Sequence, residues 1–310
     1  MYRSIMVPLD GSRFGEEAVA VAVGLALKGA ETLHLVTVLD TTGPDVVGWK
    51  REANDHDKAK AAAQAYLNGV AERVTENTDA LEVTITVLPP DRPARALAEH
   101  LKATQAGLVV MTSHGRGPLS RVWLGSTTDR LLRNASRPIL VVRPSEDGAA
   151  EIREAPYPIG HVLLPLDGSE EAEKAIEHAL ELIDQGARVT LLGGLSPYVP
   201  GAYPYVPRVE GQKEKRDRAH EELRSYLERK AEELRGRGFD VKVRTPVAQQ
   251  PAAQILEEAE KAAVDLIAMA TARKPGGFRE GLGSVADKVV RGADCPVLVV
   301  RRTDDETPAR

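Results

Sequence analysis

Short apolar runs alternate along the chain with longer segments in which apolar residues recur every three or four positions. Residues 5–9 and 108–111 are almost entirely apolar, which is typical of strands covered on both faces. Residues 62–74 place an apolar side chain at every fourth position, as in an amphipathic helix. In residues 83–87, valine and isoleucine alternate with threonine, which predicts a half-exposed strand at a sheet edge.

The alternation of strands and helices occurs twice. In the first unit we predict strands at 5–9, 33–39, 83–87, 108–111 and 139–142. We predict helices at 16–28, 95–104 and 126–134, and a long helix that includes residues 62–74. In the second unit we predict strands at 161–166, 188–195, 239–245, 264–269 and 297–300, and helices at 170–184, 213–236, 249–262 and 284–291. Strands that alternate with helices favour parallel sheets. The predicted fold class is therefore α/β, with two doubly wound parallel five-stranded sheets, one per unit.

Two motifs at opposite ends of each unit show that the sequence repeats. IMVPLDGS at 5–12 returns as VLLPLDGS at 162–169, and LGSTTDRLLRNASRPILVVR at 124–143 returns as LGSVADKVVRGADCPVLVVR at 282–301. The first motif recurs after 157 residues and the second after 158, so a whole domain is duplicated. We predict domains at residues 1–145 and 158–303, joined by a polar linker near 144–158.

Composition and charge narrow the functional classes. The 310 residues carry 41 Lys plus Arg against 46 Asp plus Glu, a net charge of −5, and neither half has the basic excess of a nucleic-acid-binding protein. No apolar run approaches the roughly 20 residues of a membrane span, and the N-terminus has no room for a signal-peptide core. A single cysteine, Cys295, excludes an internal disulfide. We predict a soluble cytoplasmic protein that binds neither nucleic acid nor a membrane.

Residues 111–126, MTSHGRGPLSRVWLGS, are the segment most suggestive of chemistry. They leave an apolar strand, pass Gly115 and Gly117, and enter a helix at Ser126, which we predict to be the N-cap in a capping box with Asp129. Glycines let backbone N–H groups approach an anion, and a helix N-terminus adds further donors and a positive dipole end. The segment fits a phosphate cradle, and it fits equally a plain loop with an ordinary cap.

Asp10 follows the first predicted strand, and the glycine loop follows the fourth. Ligands of doubly wound sheets bind beyond the carboxyl ends of the strands, where the strand order reverses. If the first and fourth strands are neighbours there, Asp10 and the loop face one crevice. The carboxylate could then accept hydrogen bonds from ribose hydroxyls or an adenine amine. The alternative is that Asp10 only caps the helix that follows the Asp-Gly-Ser turn.

The sequence resembles the universal stress protein family in VPLDGS at the start of the unit, in SHGRG with the later Gly125–Ser126, and in RPILVVR at its end. The resemblance covers nearly the whole chain, once per unit, and implies a Rossmann-like fold of the adenine nucleotide alpha-hydrolase type. Nucleotide-binding members of the family carry G-x-x-G, nine residues, then G-[S/T]. Gly115, residues 116–124 and Gly125–Ser126 match the later part, whereas Thr112 stands at the first glycine position.

On this resemblance the first unit is expected to bind ATP. Pro8 and Asp10 would line the nucleoside pocket, and Val38 would contact adenine through its main chain. The expected nucleotide-binding residues are Pro8, Asp10, Val38, Met111, Thr112, Gly115, Arg116, Gly125, Ser126 and Thr127. A Mg or Mn ion would be held mainly by phosphates and water, because the loop offers no pair of carboxylates. His114 and Arg116 could contact phosphate, or they could serve only the loop itself.

The second unit departs further from the motif, so its site is predicted to be degenerate. Arg273 stands where the first unit has Gly115, and Ala270 stands where it has Thr112. A long side chain at Arg273 would project into the space of a phosphate. Either the pocket is vestigial, or Arg273 binds an anion directly through its guanidinium group.

Three functions remain open at this point. The first is a stress-response protein that binds and senses ATP, or another adenine nucleotide, through the first unit. The second is a nucleotide-free scaffold for an unknown protein partner. The third is a slow ATPase or phosphotransferase, for which His114 is the only loop residue able to orient water.

The last predicted strand of each unit bears on assembly. Residues 139–142 and 297–300 are continuous apolar strands with no later strand of their own unit to cover them, and an uncovered edge is an aggregation hazard. In the family that the chain resembles, such terminal strands meet across a dimer interface. We predict an internal pseudo-dimer in which 138–143 and 296–301 associate. A further homodimer is compatible with this arrangement but not required by it.

Overall fold

The computed structural model describes residues 2–39, 56–78, 81–104, 106–113, 124–145, 152, 155–194, 212–246, 250–271 and 282–301. Within these residues the chain forms ten strands and eight helices. The first repeat contains β1 (Ser4–Leu9), α1 (Arg13–Ala26), β2 (Thr32–Val38), α2 (His56–Thr75), β3 (Glu82–Leu88), α3 (Pro93–Ala103), β4 (Leu108–Thr112), α4 (Ser126–Asn134) and β5 (Ile139–Val142). The second contains β6 (His161–Pro165), α5 (Glu170–Leu180), β7 (Arg188–Leu192), α6 (Gln212–Gly236), β8 (Asp240–Arg244), α7 (Pro251–Lys261), β9 (Leu266–Thr271), α8 (Ser284–Gly292) and β10 (Val297–Arg301).

The predicted elements are all present, and the differences lie at their ends. Helix α1 begins at Arg13, three residues before the predicted start, because the Ser12 side chain caps it and accepts a hydrogen bond from the Gly15 N–H. The prediction that Ser126 is the N-cap of α4 is wrong. Gly125 takes that position, with φ −58° and ψ 144°, and no side chain caps the helix.

The described strands form one ten-stranded sheet in the order β3-β2-β1-β4-β5-β10-β9-β6-β7-β8. Neighbouring strands are parallel except β5 and β10, which are antiparallel. In each repeat the strand order reverses once, between β1 and β4 and between β6 and β9. The predicted doubly wound α/β fold is therefore confirmed, and β3 lies at a sheet edge as predicted.

The two five-stranded halves join through β5 and β10. The register pairs Ile139 with Val299, Leu140 with Leu298, and Val141 with Val297. Leu140 and Leu298 are equivalent positions, 158 residues apart, and both are fully buried. An approximate two-fold axis therefore passes between them, and the predicted association of 138–143 with 296–301 is confirmed.

Two apolar layers cover the sheet, one on each face, and both extend across the two repeats. One layer contains α1, α2, α5 and α6 with the side chains of one strand face, and the other contains α3, α4, α7 and α8. Because both faces are covered, the central strands β4 and β5 are buried throughout. None of the described helices is long and apolar enough to cross a membrane.

Charged side chains of α4 and α8 form a network across the junction. The Arg133 Nη2 atom lies 2.8 Å from Asp129 Oδ1 and 3.9 Å from Asp287 Oδ1. The Arg291 side chain makes the reciprocal contacts, 3.0 Å from Asp287 Oδ2 and 3.5 Å from Asp129 Oδ1. Each arginine therefore pairs within its own helix and reaches the aspartate of the other repeat, which fixes α4 against α8.

Candidate functional site

The carboxyl ends of β1, β2 and β4 bring several predicted site residues to one edge of the sheet. Strand β1 pairs in parallel with β2 on one side and with β4 on the other. Asp10 follows β1 directly, while Val38 ends β2 and Thr112 ends β4. The first and fourth strands are thus neighbours at the point where the strand order reverses, which is where doubly wound sheets bind ligands.

Asp10 fixes the turn between β1 and α1. Its Oδ1 atom accepts hydrogen bonds from the Ser12 N–H (3.0 Å) and from the Ser12 hydroxyl (2.6 Å). Gly11 between them has φ +78°, a left-handed conformation that favours glycine. Ser12, not Asp10, is the N-cap of α1, so Asp10 positions the residue that caps the helix.

The same turn occurs in the second repeat. The Oδ1 atom of Asp167 accepts from the Ser169 N–H (3.0 Å) and hydroxyl (2.6 Å), and Gly168 has φ +87°. Ser169 caps α5 as Ser12 caps α1. The turns differ in burial, because Asp10 is half-buried and Asp167 is exposed.

A glutamate and a tyrosine lie beside each of these turns, and sequence analysis did not single them out. In repeat 2 the Tyr226 hydroxyl donates to Glu173 Oε1 (2.8 Å), and Lys230 Nζ lies 2.9 Å from Glu173 Oε2. In repeat 1, burial first and then the negative charge of Glu16 hold the pKa of Tyr66 well above its usual value. The signal was present in the sequence, since a glutamate follows each turn aspartate by six residues.

Two hydrogen bonds hold together the ends of the loop between β4 and α4. The Gly125 N–H donates to the Ser113 carbonyl (2.7 Å), and the buried Thr128 hydroxyl donates to the Thr112 carbonyl (3.0 Å). The end of β4 and the first turn of α4 are therefore in contact. Residues 114–123 between them, which include Gly115, Arg116 and His114, lie outside the described residues.

The start of α4 presents backbone donors at this edge. Ser126 and Thr127 stand in its first turn, where N–H groups have no acceptor within the helix, and no side-chain hydrogen bond caps the helix. In contrast, α1 and α5 are capped by serines. An uncapped N-terminus with the positive end of a helix dipole suits an anion such as a phosphate.

The remaining predicted residues lie at the same strand ends with different exposures. Pro8 is half-buried. Val38 and Met111 are 8% and 5% exposed and belong to the apolar layer of α3 and α4, so main-chain atoms are what they can offer a ligand. Thr112 is buried, and its carbonyl is already used by Thr128.

The equivalent edge of repeat 2 differs in three backbone features. Gly193 and Gly194 take the places of Thr37 and Val38, as the registers of β7 on β6 and of β2 on β1 show. A Cβ atom on Gly193 would lie 2.6 Å from Leu227, so α6 packs directly on this position. The N-cap Gly283 of α8 has φ +87°, whereas Gly125 has φ −58°. Residues 272–281, which include Arg273, lie outside the described residues.

The sequence model of the Universal stress protein family matches residues 1–143 and 158–301. The chain belongs to that family. Because both matches lie in one chain, the predicted identification as a tandem universal stress protein is confirmed.

Relatives and solved structures agree with this membership. A universal stress protein of Mycolicibacterium smegmatis is 32% identical over 311 residues, which cover 96% of each chain. A universal stress protein of Mycobacterium tuberculosis is 27% identical over 316 residues, covering 97% of this chain and 96% of the relative. The crystal structure of a universal stress protein from Archaeoglobus fulgidus superimposes with a TM-score of 0.68 at 20% identity, covering 98% of this chain and 97% of that one, which shows the shared fold.

Proposed function

We propose that this tandem universal stress protein binds one adenine nucleotide, ATP, in the crevice of repeat 1 and thereby senses the nucleotide in a stress response. The observation that carries the proposal is the placement of Asp10 after β1 and of the uncapped start of α4 beside the end of the neighbouring strand β4, where the strand order reverses. A carboxylate suits ribose hydroxyls or an adenine amine, and a helix N-terminus suits phosphate.

The described residues of repeat 1 fit such a ligand. Ser126 and Thr127 would hold phosphate through main-chain N–H groups, and the main chain of Val38 would face adenine. The hydrogen bonds of Gly125 and Thr128 support this fit because they hold the start of α4 against the end of β4. The metal expected with ATP would bind through phosphate oxygens and water, with no side chain of these residues as its ligand.

The preference for repeat 1 is supported by the contrast with repeat 2. In repeat 2, glycines replace Thr37 and Val38. Ala286 replaces Thr128, so the side-chain hydrogen bond that joins α4 to β4 in repeat 1 has no donor in repeat 2. In the sequence, Arg273 replaces Gly115. We expect calorimetric titration of ATP with Mg²⁺ to give one site per chain.

Asp10 and Asp167 provide a matched test. Both make the same two bonds to the serine that follows, so Asp10→Ala and Asp167→Ala should each lower the free energy of unfolding by about 0.5–1.5 kcal/mol, with the larger loss at the half-buried Asp10. Only Asp10→Ala should lower the affinity for ATP, by at least tenfold, because in this proposal only the Asp10 carboxylate faces a bound nucleoside. Equal affinities for the two variants would reduce Asp10 to a structural turn residue.

Gly125→Val tests the phosphate end of the crevice. The φ of −58° is accessible to valine, so the helix should still form, whereas the new side chain would stand where phosphate approaches. We expect binding to be abolished and the unfolding midpoint to be nearly unchanged. Titrations that give two equivalent sites in the unmodified chain, or none, would refute the proposal.

A further inference from the structure

Strand β3 is the outer strand of repeat 1, and β8 is the outer strand of repeat 2. Among the described residues, no strand pairs with the outer side of either one. Strand β3 is seven residues long, and Glu82 at its start is its single charged residue. Strand β8 has five residues, of which Asp240, Lys242 and Arg244 are charged. Charged residues on an edge strand oppose pairing with another chain, so only β8 is protected in this way.

The backbone directions along β3 follow from its bonds to the neighbouring chain. The Glu82 N–H donates to the Glu31 carbonyl, and the Leu88 carbonyl accepts from the Leu39 N–H, both at 3.1 Å. Successive residues of a strand direct their backbone groups to opposite sides, so the even-numbered residues of β3 face β2. The N–H and carbonyl groups of the odd-numbered residues 83, 85 and 87 therefore face away from the sheet.

The sequence of β3 is symmetric about its centre. Residues 83–87 read Val-Thr-Ile-Thr-Val, the same in both directions. If two copies pair antiparallel about Ile85, each Val83 faces Val87 of the second copy, and Ile85 faces itself. These are the residues whose backbone groups are directed outward, so the register places six hydrogen bonds between the copies.

The side chains fit the same register. Val83, Ile85 and Val87 pack against the apolar layer of α1 and α2, so pairing would set β-branched residues opposite one another along that layer. On the other face, Thr84 would lie opposite Thr86 of the second copy, in pairs without mutual backbone bonds, where side chains approach most closely.

The outer strand of repeat 2 does not offer such a register. The Asp240 N–H donates to the Ala187 carbonyl, so residues 240, 242 and 244 face β7 and only Val241 and Val243 direct backbone groups outward. Pairing about its centre would place Lys242 directly opposite Lys242 of the second copy. Like charges in that position destabilise a strand pair.

We propose that β3 is a self-association surface, through which a second copy of the chain pairs antiparallel about Ile85 to form a two-fold symmetric dimer. The pairing would extend the ten-stranded sheet across two chains and leave the β5–β10 junction of each intact. An interface based on one strand from each copy is small, so the dimer should depend on concentration in the micromolar range or above. This inference is independent of nucleotide binding.

Charge exchange at Thr84 and Thr86 tests the register. Thr84→Lys with Thr86→Lys puts lysine opposite lysine in both pairs, whereas Thr84→Glu with Thr86→Lys puts glutamate opposite lysine. Both variants lose the hydrogen bond between Thr84 and His34, so they are matched for that loss. By sedimentation velocity, we expect the double-lysine variant to dimerise at least tenfold more weakly than the unmodified chain and the glutamate–lysine variant to dimerise at least as well.

Mixing gives a second measurement. Thr84→Glu with Thr86→Glu should be monomeric alone and should form a mixed dimer with the double-lysine variant. Lys242→Glu on β8, which keeps like charges opposite each other there, should leave sedimentation unchanged, and thermal unfolding should show that each variant is folded. The proposal is overturned if the unmodified chain stays monomeric up to about millimolar concentration. It is also overturned if the double-lysine and glutamate–lysine variants dimerise equally.

Discussion

The crevices of the two repeats share one turn and differ in what surrounds it. In both, the Asp-Gly-Ser turn makes the same hydrogen bonds at the end of the first strand. Around it, repeat 1 has Thr37, whose hydroxyl donates to the Leu9 carbonyl (2.7 Å), where repeat 2 has Gly193. Repeat 1 also has Thr128 where repeat 2 has Ala286. The turn is therefore part of the shared scaffold, and its neighbours distinguish the repeats.

This contrast shows which residues can report on a ligand. A residue with the same contacts in both repeats is explained by the fold, as the serine caps of α1 and α5 are. A residue whose contacts exist in just one of the two repeats is not explained by the shared fold and requires a local explanation. By that criterion Thr128 is more informative than Ser12 about what repeat 1 binds.

The largest effect on the free energy of unfolding is expected from a comparison of how α3 and α7 are packed. Leu101 on α3 is fully buried, and its counterpart Ala259 lines a cavity of about 320 Å³ together with Leu256, Gly292 and Cys295. Leu101→Ala should lower the free energy of unfolding by about 2–5 kcal/mol, because it creates a void in a filled layer. Ala259→Leu should change it by no more than about 1 kcal/mol, since the new side chain enters existing space.

Urea denaturation of both variants measures this difference. If Ala259→Leu were as destabilising as Leu101→Ala, the two helices would be equally tightly packed and the asymmetry would be lost. Burial raises the pKa of the Cys295 thiol to about 11, so the cysteine should stay protonated while the protein is folded.

The next effect concerns the end of the linker, where Tyr157 lies against α1 of the first repeat. The Tyr157 N–H donates to the Gly24 carbonyl (2.8 Å), and a Cβ atom on Gly24 would lie 2.8 Å from Tyr157 N. Gly24→Ala should therefore cost about 1–3 kcal/mol, despite the better helix propensity of alanine. Glu181 stands at the equivalent position of the second repeat.

Gly69 in α2 is the matched control. Nothing lies within 4 Å of a Cβ atom built there, so Gly69→Ala should stabilise the protein by about 0.5–1 kcal/mol. Opposite signs in thermal unfolding would establish that the linker backbone lies on Gly24. A stabilising Gly24→Ala would contradict that contact.

The fold was predictable from the sequence because its signals are local or repeated. The alternation in 83–87 predicted an edge strand, and the second copy of each motif predicted a duplicated domain. The N-cap of α4 was not predictable, because a long-range bond from the Gly125 N–H to the Ser113 carbonyl fixes the chain just before Ser126. The pair of Tyr2 with His178 was equally hidden, since 176 residues separate them.

Thr128→Ala should have a moderate effect on both stability and binding. It removes the buried hydrogen bond to the Thr112 carbonyl, which contributes about 1 kcal/mol. If repeat 1 holds the nucleotide, the start of α4 should loosen and ATP affinity should fall roughly three- to tenfold, about 0.7–1.4 kcal/mol. Calorimetry of Thr128→Ala beside Ala286→Thr checks this, because the second variant should leave affinity and stoichiometry unchanged. A loss of stability without any loss of affinity would separate Thr128 from the site.

The smallest effect concerns the contact of Tyr2 with His178 across the repeats. The Tyr2 hydroxyl lies 2.8 Å from His178 Nδ1, and the two rings stack with centroids 5.9 Å apart. Burial lowers the pKa of His178, although the charges of Glu181 and Glu177 oppose the shift. At the symmetry-related contact, Ile159 stands in the place of Tyr2 and Val21 in the place of His178, and both are buried. Only one of the two symmetry-related contacts therefore contains a histidine that can titrate.

The lowered pKa of His178 gives the pH dependence a definite sign. Between the folded pKa and the usual value of about 6.5, the unfolded chain binds more protons than the folded chain, so stability should fall as the pH falls through this window. Tyr2→Ile with His178→Val copies the apolar pair and should reduce the loss of stability between pH 7.5 and pH 5.5. His34, His100 and His161, whose pKa values burial also lowers, remain in both proteins and cancel in the comparison. Urea denaturation at the two pH values measures the difference, and an unchanged pH dependence would show that protonation of His178 is not coupled to folding.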